Sequence, residues 1–214
     1  MKGKFIVLEG GEGGGKSLQI RELSGWLDSQ GIENIVVREP GGNRLGREIR
    51  SILLSPDSVE LDSLSELFLY SADRRIQYEN VIRPNLEYGT WVLSDRSWPS
   101  TQAYQGFAGK VDEKVIKNMI NLSTSGLVPN LLYIIDVHPS VGLKMEENPD
   151  RFAMKKFDYH LKVWEGYNSI LDDNLGFAVR VPYIKNKQKK MQGMIRRDII
   201  KKCSEWFDKG STEF

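Results

Sequence analysis

Eight consecutive residues, Gly10-Gly11-Glu12-Gly13-Gly14-Gly15-Lys16-Ser17, combine the residue types that hold a phosphate chain, and they fit the spacing G-x-x-x-x-G-K-[ST] in full. Without Cβ atoms at the glycines, backbone N–H groups can converge on phosphate oxygens, and the N-terminus of a following helix adds partial positive charge. Lys16 would reach the β- and γ-phosphates, and the Ser17 hydroxyl would ligate Mg²⁺. A random chain of this length shows the pattern on the order of one time in a hundred. A strand before it and a helix after it lower those odds further.

A phosphate loop needs a carboxylate on the metal side, at the end of a buried strand. Two residues qualify: Asp95, after Trp91-Val92-Leu93-Ser94, and Asp136, after Leu131-Leu132-Tyr133-Ile134-Ile135. Asp95 is preferred because Arg96 follows it and places a cation beside the same phosphates. Asp136 opens Asp136-Val137-His138-Pro139, which reads equally well as an exit turn. The base-reading pattern Asn-Lys-x-Asp is absent, since Asn186-Lys187 is followed by Gln188-Lys189. That disfavours a GTPase.

These groups must be positioned by the elements around them. Phe5-Ile6-Val7-Leu8 is too short for a helix and reads as a strand buried on both faces. Ile35-Val36-Val37, Trp91-Val92-Leu93, the Leu131 run and Phe177-Ala178-Val179 repeat the pattern, with helix-length segments between them. Alternating strands and helices imply right-handed crossovers and a parallel sheet covered on both sides. Leu18, Ile20, Leu23 and Leu27 fall at helical spacing and read as a core face, as do Leu61, Leu64, Leu67 and Phe68. Met191, Met194, Ile195, Ile199, Cys203 and Trp206 form a terminal helical stripe whose intervening lysines and arginines solvate the other face.

The chain has 214 residues, enough for one continuous core, and a single domain over 1–214 is expected. Thirty Lys and Arg against 29 Asp and Glu create no global field toward nucleic acid or an anionic membrane, so phosphate affinity must be local. One cysteine, no secretory leader and no long apolar run predict a soluble, cytoplasmic protein.

Beyond the phosphate loop, Arg38-Glu39-Pro40-Gly41-Gly42, Tyr70-Ser71-Ala72-Asp73-Arg74, Asp95-Arg96-Ser97, Ser100-Thr101-Gln102-Ala103-Tyr104-Gln105-Gly106 and Asp150-Arg151 follow in order. Together they resemble thymidylate kinases over most of the chain. The resemblance implies an α/β fold of the P-loop NTPase type: a three-layer α/β/α sandwich with a five-stranded parallel sheet, a short lid at about 144–156, and a homodimer. It also implies ATP as donor, Mg²⁺ as cofactor and dTMP as acceptor.

The same resemblance assigns roles. Tyr70 stands where the family usually has a Phe stacked on thymine, and a phenol offers the same π-face. Arg74 matches the residue that hydrogen-bonds the base, and Gln105, with Ser100 or Thr101 nearby, matches the polar pair on its pairing edge. Tyr104 matches the residue beneath the sugar, whose bulk disfavours a 2′-hydroxyl. Arg50 and Arg96 match arginines on the acceptor 5′-phosphate. Glu12 lies where family members carry an acid near the 3′-hydroxyl.

Two departures stand out. The lid, Lys144-Met145-Glu146-Glu147-Asn148-Pro149-Asp150-Arg151, has two adjacent glutamates and one arginine, and Ala153 replaces a usual glutamate. Charge stabilisation at the transferring phosphoryl then rests on Arg151, Lys16, Arg96 and Mg²⁺. Ser97 replaces a ring often found after the Asp-Arg pair, with Trp98 next door to fill the space. The leading expectation is dTMP phosphorylation by in-line transfer. Its rivals are a kinase for another deoxynucleoside monophosphate, such as a 5-substituted dUMP, and a weakly catalytic nucleotide sensor or ATPase.

Overall fold

The computed structural model describes residues 3–55, 61–146 and 150–210, with side chains as far as Cys203. In chain order the elements are β1 (Phe5–Gly10), α1 (Lys16–Ser29), β2 (Asn34–Arg38), α2 (Arg44–Leu54) and α3 (Ser63–Gln77). A π-helical turn, Tyr78–Ile82, carries α3 into α4 (Arg83–Tyr88), and β3 (Trp91–Asp95) follows. Next come α5 (Trp98–Thr101), extended by a π-helical segment Gln102–Ala108, then α6 (Glu113–Thr124), β4 (Leu131–Asp136) and α7 (Pro139–Gly142). The chain continues with a 3₁₀ turn (Leu143–Met145), α8 (Phe157–Asp172), β5 (Ala178–Pro182) and α9 (Gln188–Gly210).

The five strands form one parallel sheet in the order β2-β3-β1-β4-β5. Phe5 and Val7 of β1 join Val92, Leu132 and Ile134 in one core, roofed by Tyr78, Tyr104, Val163 and Tyr167. Ile6 and Leu8 alternate into a second core with Leu93, Tyr133 and Ile135, closed by Leu23 and Leu27 of α1 and by Met191, Ile195 and Ile199 of α9. Continuous apolar strands are what a sheet covered on both faces requires. β1 is central, and Val7 lies between Ser94 of β3 and Leu132 of β4. Its C-terminal end therefore opens into the crevice where ligands bind open α/β sheets.

Three readings of the sequence shift. β2 is an edge strand, so Val36 is exposed rather than buried on both faces. β5 begins at Ala178 and runs to Pro182, slightly beyond the apolar triplet. Leu67 is buried, but Leu64 is 42% and Phe68 53% exposed, so their stripe is not wholly a core face. Trp206 lies outside the described side chains.

Candidate active site

The phosphate loop turns on left-handed glycines: φ is 65° at Gly13 and 79° at Gly15, which glycine adopts without steric cost. A Cβ on Gly13 would lie 2.0 Å from the Gly142 carbonyl oxygen, so the loop also rests directly on α7. Gly15 caps α1 with no side-chain hydrogen bond, and no acid occupies the first turn. The helix N-terminus is thus left to an external anion. Lys16 Nζ donates to the carbonyl oxygens of Gly10 and Gly11 at 3.0 and 2.8 Å. Burial and the nearby Arg96 lower its pKa, partly offset by Glu12 and Asp95.

Ser17 Oγ donates to Asp95 Oδ2 at 2.8 Å, joining the start of α1 to the end of β3. Asp136 is occupied elsewhere, accepting from Trp164 Nε1 at 2.8 Å and Arg180 Nη1 at 2.6 Å. Of the two strand-end carboxylates, Asp95 is the one bonded to the serine of the phosphate loop.

Arg96 occupies the centre of the site with φ 73°, a sparsely populated conformation for a non-glycine residue. It is pinned on both sides: its N–H donates to Leu8 O, and its carbonyl accepts from Ser94 Oγ. The guanidinium donates to Gly10 O, Ser100 Oγ and Tyr167 OH, and at 3.2–3.3 Å to the Glu12 carboxylate. Tyr104 OH also donates to Glu12, at 2.6 Å. Burial alone would raise the Glu12 pKa, but the Arg96 and Lys16 charges and the Tyr104 hydroxyl hold it down to about 2. Behind this layer Glu9, fully buried at the end of β1, accepts from the N–H groups of Ser97 and Ser100, from Ser100 Oγ and from Tyr167 OH. Burial pushes its pKa up against the pull of Arg96.

The remainder of the cleft lining is aromatic and arginine-rich. Tyr70 and Phe152 meet at 6.2 Å between ring centroids, and Phe152 meets Tyr104 edge-on at 5.8 Å. Arg74 is 1% exposed; its Nε donates to Glu39 Oε2 at 2.8 Å and its Nη2 to Thr101 Oγ1 at 2.9 Å, while Nη1 is buried without a partner. Burial pushes the Glu39 carboxyl up to about 7, opposed by Arg74. Arg50 donates to Pro40 O, and burial together with the neighbouring Arg38 lowers its pKa. That arrangement favours an incoming anion.

The structure thus lines a single cleft of about 720 Å³ with Glu12 to Ser17, Asp95 and Arg96, and with Arg50, Tyr70, Arg74, Tyr104 and Gln105. Gly10 and Gly11 are not among its described lining residues and instead hold Lys16 through their carbonyl oxygens. Ser100 and Thr101 line the cleft too; the Ser100 hydroxyl donates to Glu9 and the Thr101 hydroxyl accepts from Arg74. Arg151 departs most from the sequence reading. Its Nε donates to Leu53 O and its Nη2 to Glu66 at 2.9 Å, and it is not among the described residues that line the cleft. Glu147, Asn148 and Pro149 of the lid lie outside the described residues. The space beside Ser97 is filled by Tyr78, whose OH meets Ser97 Oγ at 2.6 Å; Trp98 instead joins the core.

Sequence reasoning assigned no role to Glu9, Glu39 or Glu66. An acid that extends an apolar strand or interrupts an apolar helical stripe is an available signal, because such a carboxylate is buried only when something pairs with it.

Comparison with known proteins agrees with this geometry. The family model described as Thymidylate kinase matches residues 8–190. A thymidylate kinase of Trichodesmium erythraeum (strain IMS101) is 38% identical over 96% of this chain and 99% of its own. One from Carboxydothermus hydrogenoformans is 41% identical over 81% and 86%. In fold, the crystal structure of thymidylate kinase from Ehrlichia chaffeensis superposes with a TM-score of 0.75, at 24% identity over 93% of this chain and all of that one. The match spans the phosphate loop and the other segments that line the cleft, and the chain belongs to the thymidylate kinase family.

Proposed function

We propose that this chain catalyses ATP + dTMP → ADP + dTDP within the one cleft. An oxygen of the acceptor's 5′-phosphate bonds to the γ-phosphorus as the bond to the β–γ bridging oxygen breaks, and ADP leaves with that oxygen. Family membership makes the chain a phosphotransferase with ATP as donor. The observation that carries the acceptor assignment is the shared cleft: the phosphate loop at one end, a buried arginine and amide beside an aromatic wall at the other, and Arg96 between them. In this reading Lys16 and Arg96 carry phosphate charge, Arg50 holds the acceptor phosphate, Tyr70 stacks on the base, and Tyr104 with Glu12 packs under the sugar. Catalysis is positioning and electrostatics.

Ser17 and Asp95 offer hard oxygen donors 2.8 Å apart, which suits Mg²⁺. No cluster of three or more His, Cys, Asp or Glu side chains among the described residues could hold a metal alone. That agrees with an ion completed by nucleotide phosphates and water. Ser17 and Asp95 would hold the ion, which would supply positive charge to offset that of the transferring phosphoryl.

A homodimer is supported by apolar side chains left on one helical layer, where α3 packs between α2 and α6: Leu45, Leu64, Phe68, Val115 and Leu122, the last 65% exposed. Light scattering of the wild type and of Phe68→Glu tests it. No described helix is long and apolar enough to cross a membrane, which, with a single free cysteine, supports a cytoplasmic setting.

The test of function is ADP release measured with each deoxy- and ribonucleoside monophosphate. Release with dTMP and its loss in Lys16→Ala support the reading. Release without acceptor, or with a different nucleotide alone, overturns it.

A further inference from the structure

Glu66 lies on α3, two turns before Arg74, and none of its side chain is exposed. One carboxylate oxygen, Oε2, accepts from Gln105 Nε2 at 3.0 Å. The other, Oε1, accepts from Arg151 Nη2 at 2.9 Å and lies 3.7 Å from Lys155 Nζ. A single buried carboxylate therefore holds a residue of the acceptor pocket on one side and two cations of the lid segment on the other.

The consequence concerns which way the Gln105 amide faces. An amide is a donor at one arm and an acceptor at the other, whereas a carboxylate only accepts. Turning Gln105 over would set its oxygen against Glu66 Oε2 in a site from which water is excluded, leaving both unpaired at the full desolvation cost. With Nε2 committed to Glu66, the acceptor arm Oε1 is the one left for the cleft that Gln105 lines. Arg74 lines the same cleft, and its Nη1, buried and without a partner, leaves a donor unspent beside it. One donor and one acceptor complement a pyrimidine with a carbonyl at C4 and an N–H at N3. Cytosine presents the reverse, an exocyclic amino donor at C4 and a bare N3 acceptor.

We propose that Glu66 is a positioning residue that selects 4-oxo over 4-amino pyrimidines by fixing the orientation of the Gln105 amide, and that Arg151 and Lys155 hold Glu66 in place for that task. The lid segment is thereby tied to base selection and not only to the phosphates. The proposal rests on the assignment of dTMP as acceptor, and the test separates the two.

The experiment compares wild type with the isosteric Glu66→Gln, whose side chain can donate as well as accept and so permits either orientation of Gln105. Kinetics are measured with dTMP, dUMP and dCMP at saturating ATP, and separately for ATP. Expected are a KM for dTMP raised about tenfold, an unchanged KM for ATP, and a dTMP-to-dCMP ratio of kcat/KM reduced by about tenfold or more. A role confined to folding would lower kcat for all acceptors alike and leave that ratio where it was, and this result overturns the proposal. Should Glu66→Gln fail to bind ATP or melt cooperatively, the wild type decides by NMR of its Gln105 side-chain amide. One amide proton shifted downfield and slow to exchange, with and without dTMP, supports the proposal; two solvent-averaged protons overturn it. A wild type that does not phosphorylate dTMP sinks the acceptor assignment itself. An active wild type with an unaltered Glu66→Gln ratio sinks only the role of Glu66.

Discussion

Ser17 Oγ donates to Asp95 Oδ2 across 2.8 Å, although 78 residues separate the two in sequence. The parallel pairing of β1 with β3 creates this meeting, since Leu8 stands in register with Asp95 and the loop after β1 delivers Ser17 to the end of its neighbour. Asp136, at the end of β4 on the other side of β1, is already bonded to Trp164 and Arg180. The two strand-end aspartates should therefore behave differently. Asp95→Asn should lower kcat by about a hundredfold or more, as losing several kcal/mol of metal-borne stabilisation implies. Asp136→Asn should keep kcat within about threefold and instead lower stability by about 1–2 kcal/mol. Steady-state kinetics and urea melts of both variants check the contrast.

Glu12 gives a pH dependence with a definite sign. Its folded pKa, about 2, lies below the ordinary value of 4.5, so the unfolded chain takes up the proton first as pH falls. The stability it contributes is complete above about pH 4.5 and is lost as pH drops toward 2. The difference amounts to at most about 3 kcal/mol. Urea melts between pH 6 and pH 2 should show this loss in the wild type. Glu12→Gln, which cannot titrate there, should show a profile shallower by that amount.

The parts of this site that were legible in the sequence are those whose chemistry is local. Gly10 to Ser17 form one turn between a strand and a helix, so spacing alone announces them. Asp95 and Arg96 follow an apolar run whose end must reach the same sheet edge. Glu9, Glu39 and Glu66 were not legible as functional because their meaning comes from partners far along the chain: Tyr167, Arg74 and Arg151. The stripe containing Leu64 and Phe68 was read as core because period alone cannot tell a face packed inside a chain from one left on its surface. The widened turns at Gln102–Ala108 had no sequence signal either, yet they let neighbours Tyr104 and Gln105 reach different partners, Glu12 and Glu66.

Gly142 is a further residue that only the packing reveals. Its φ of −61° suits any amino acid, so backbone freedom does not explain a glycine there. A Cβ would lie 2.2 Å from the Glu12 carbonyl oxygen, which belongs to the phosphate loop. Gly142→Ala should push that loop away from α7, raising KM for ATP by about tenfold and costing about 1–3 kcal/mol. Gly25→Ala is the control: it lies within α1 with nothing within 4 Å of its added Cβ, and should stabilise the fold by about 0.5–1 kcal/mol at unchanged KM. Calorimetric ATP binding and thermal melts distinguish the pair.

Arg151 decides how the short lid works. A lid arginine reaching the transferring phosphoryl acts in the transition state, and losing it costs about 10³-fold or more in kcat while leaving acceptor KM in place. In this chain its guanidinium instead bridges Leu53 O and the buried Glu66, and its charge lies 4.6 Å from the ring centroid of Phe152, which lines the cleft where the acceptor is proposed to bind. Removing it leaves Glu66 with Lys155 as its remaining cation and loosens Phe152 over the acceptor site. Arg151→Ala should therefore raise KM for dTMP by about tenfold while kcat falls by less than about tenfold, with Arg96 and Lys16 carrying the phosphoryl charge. A single-turnover measurement separates chemistry from binding. A thousandfold loss in the chemical step at saturating dTMP would return Arg151 to the role of a catalytic finger, reached by a movement of the lid.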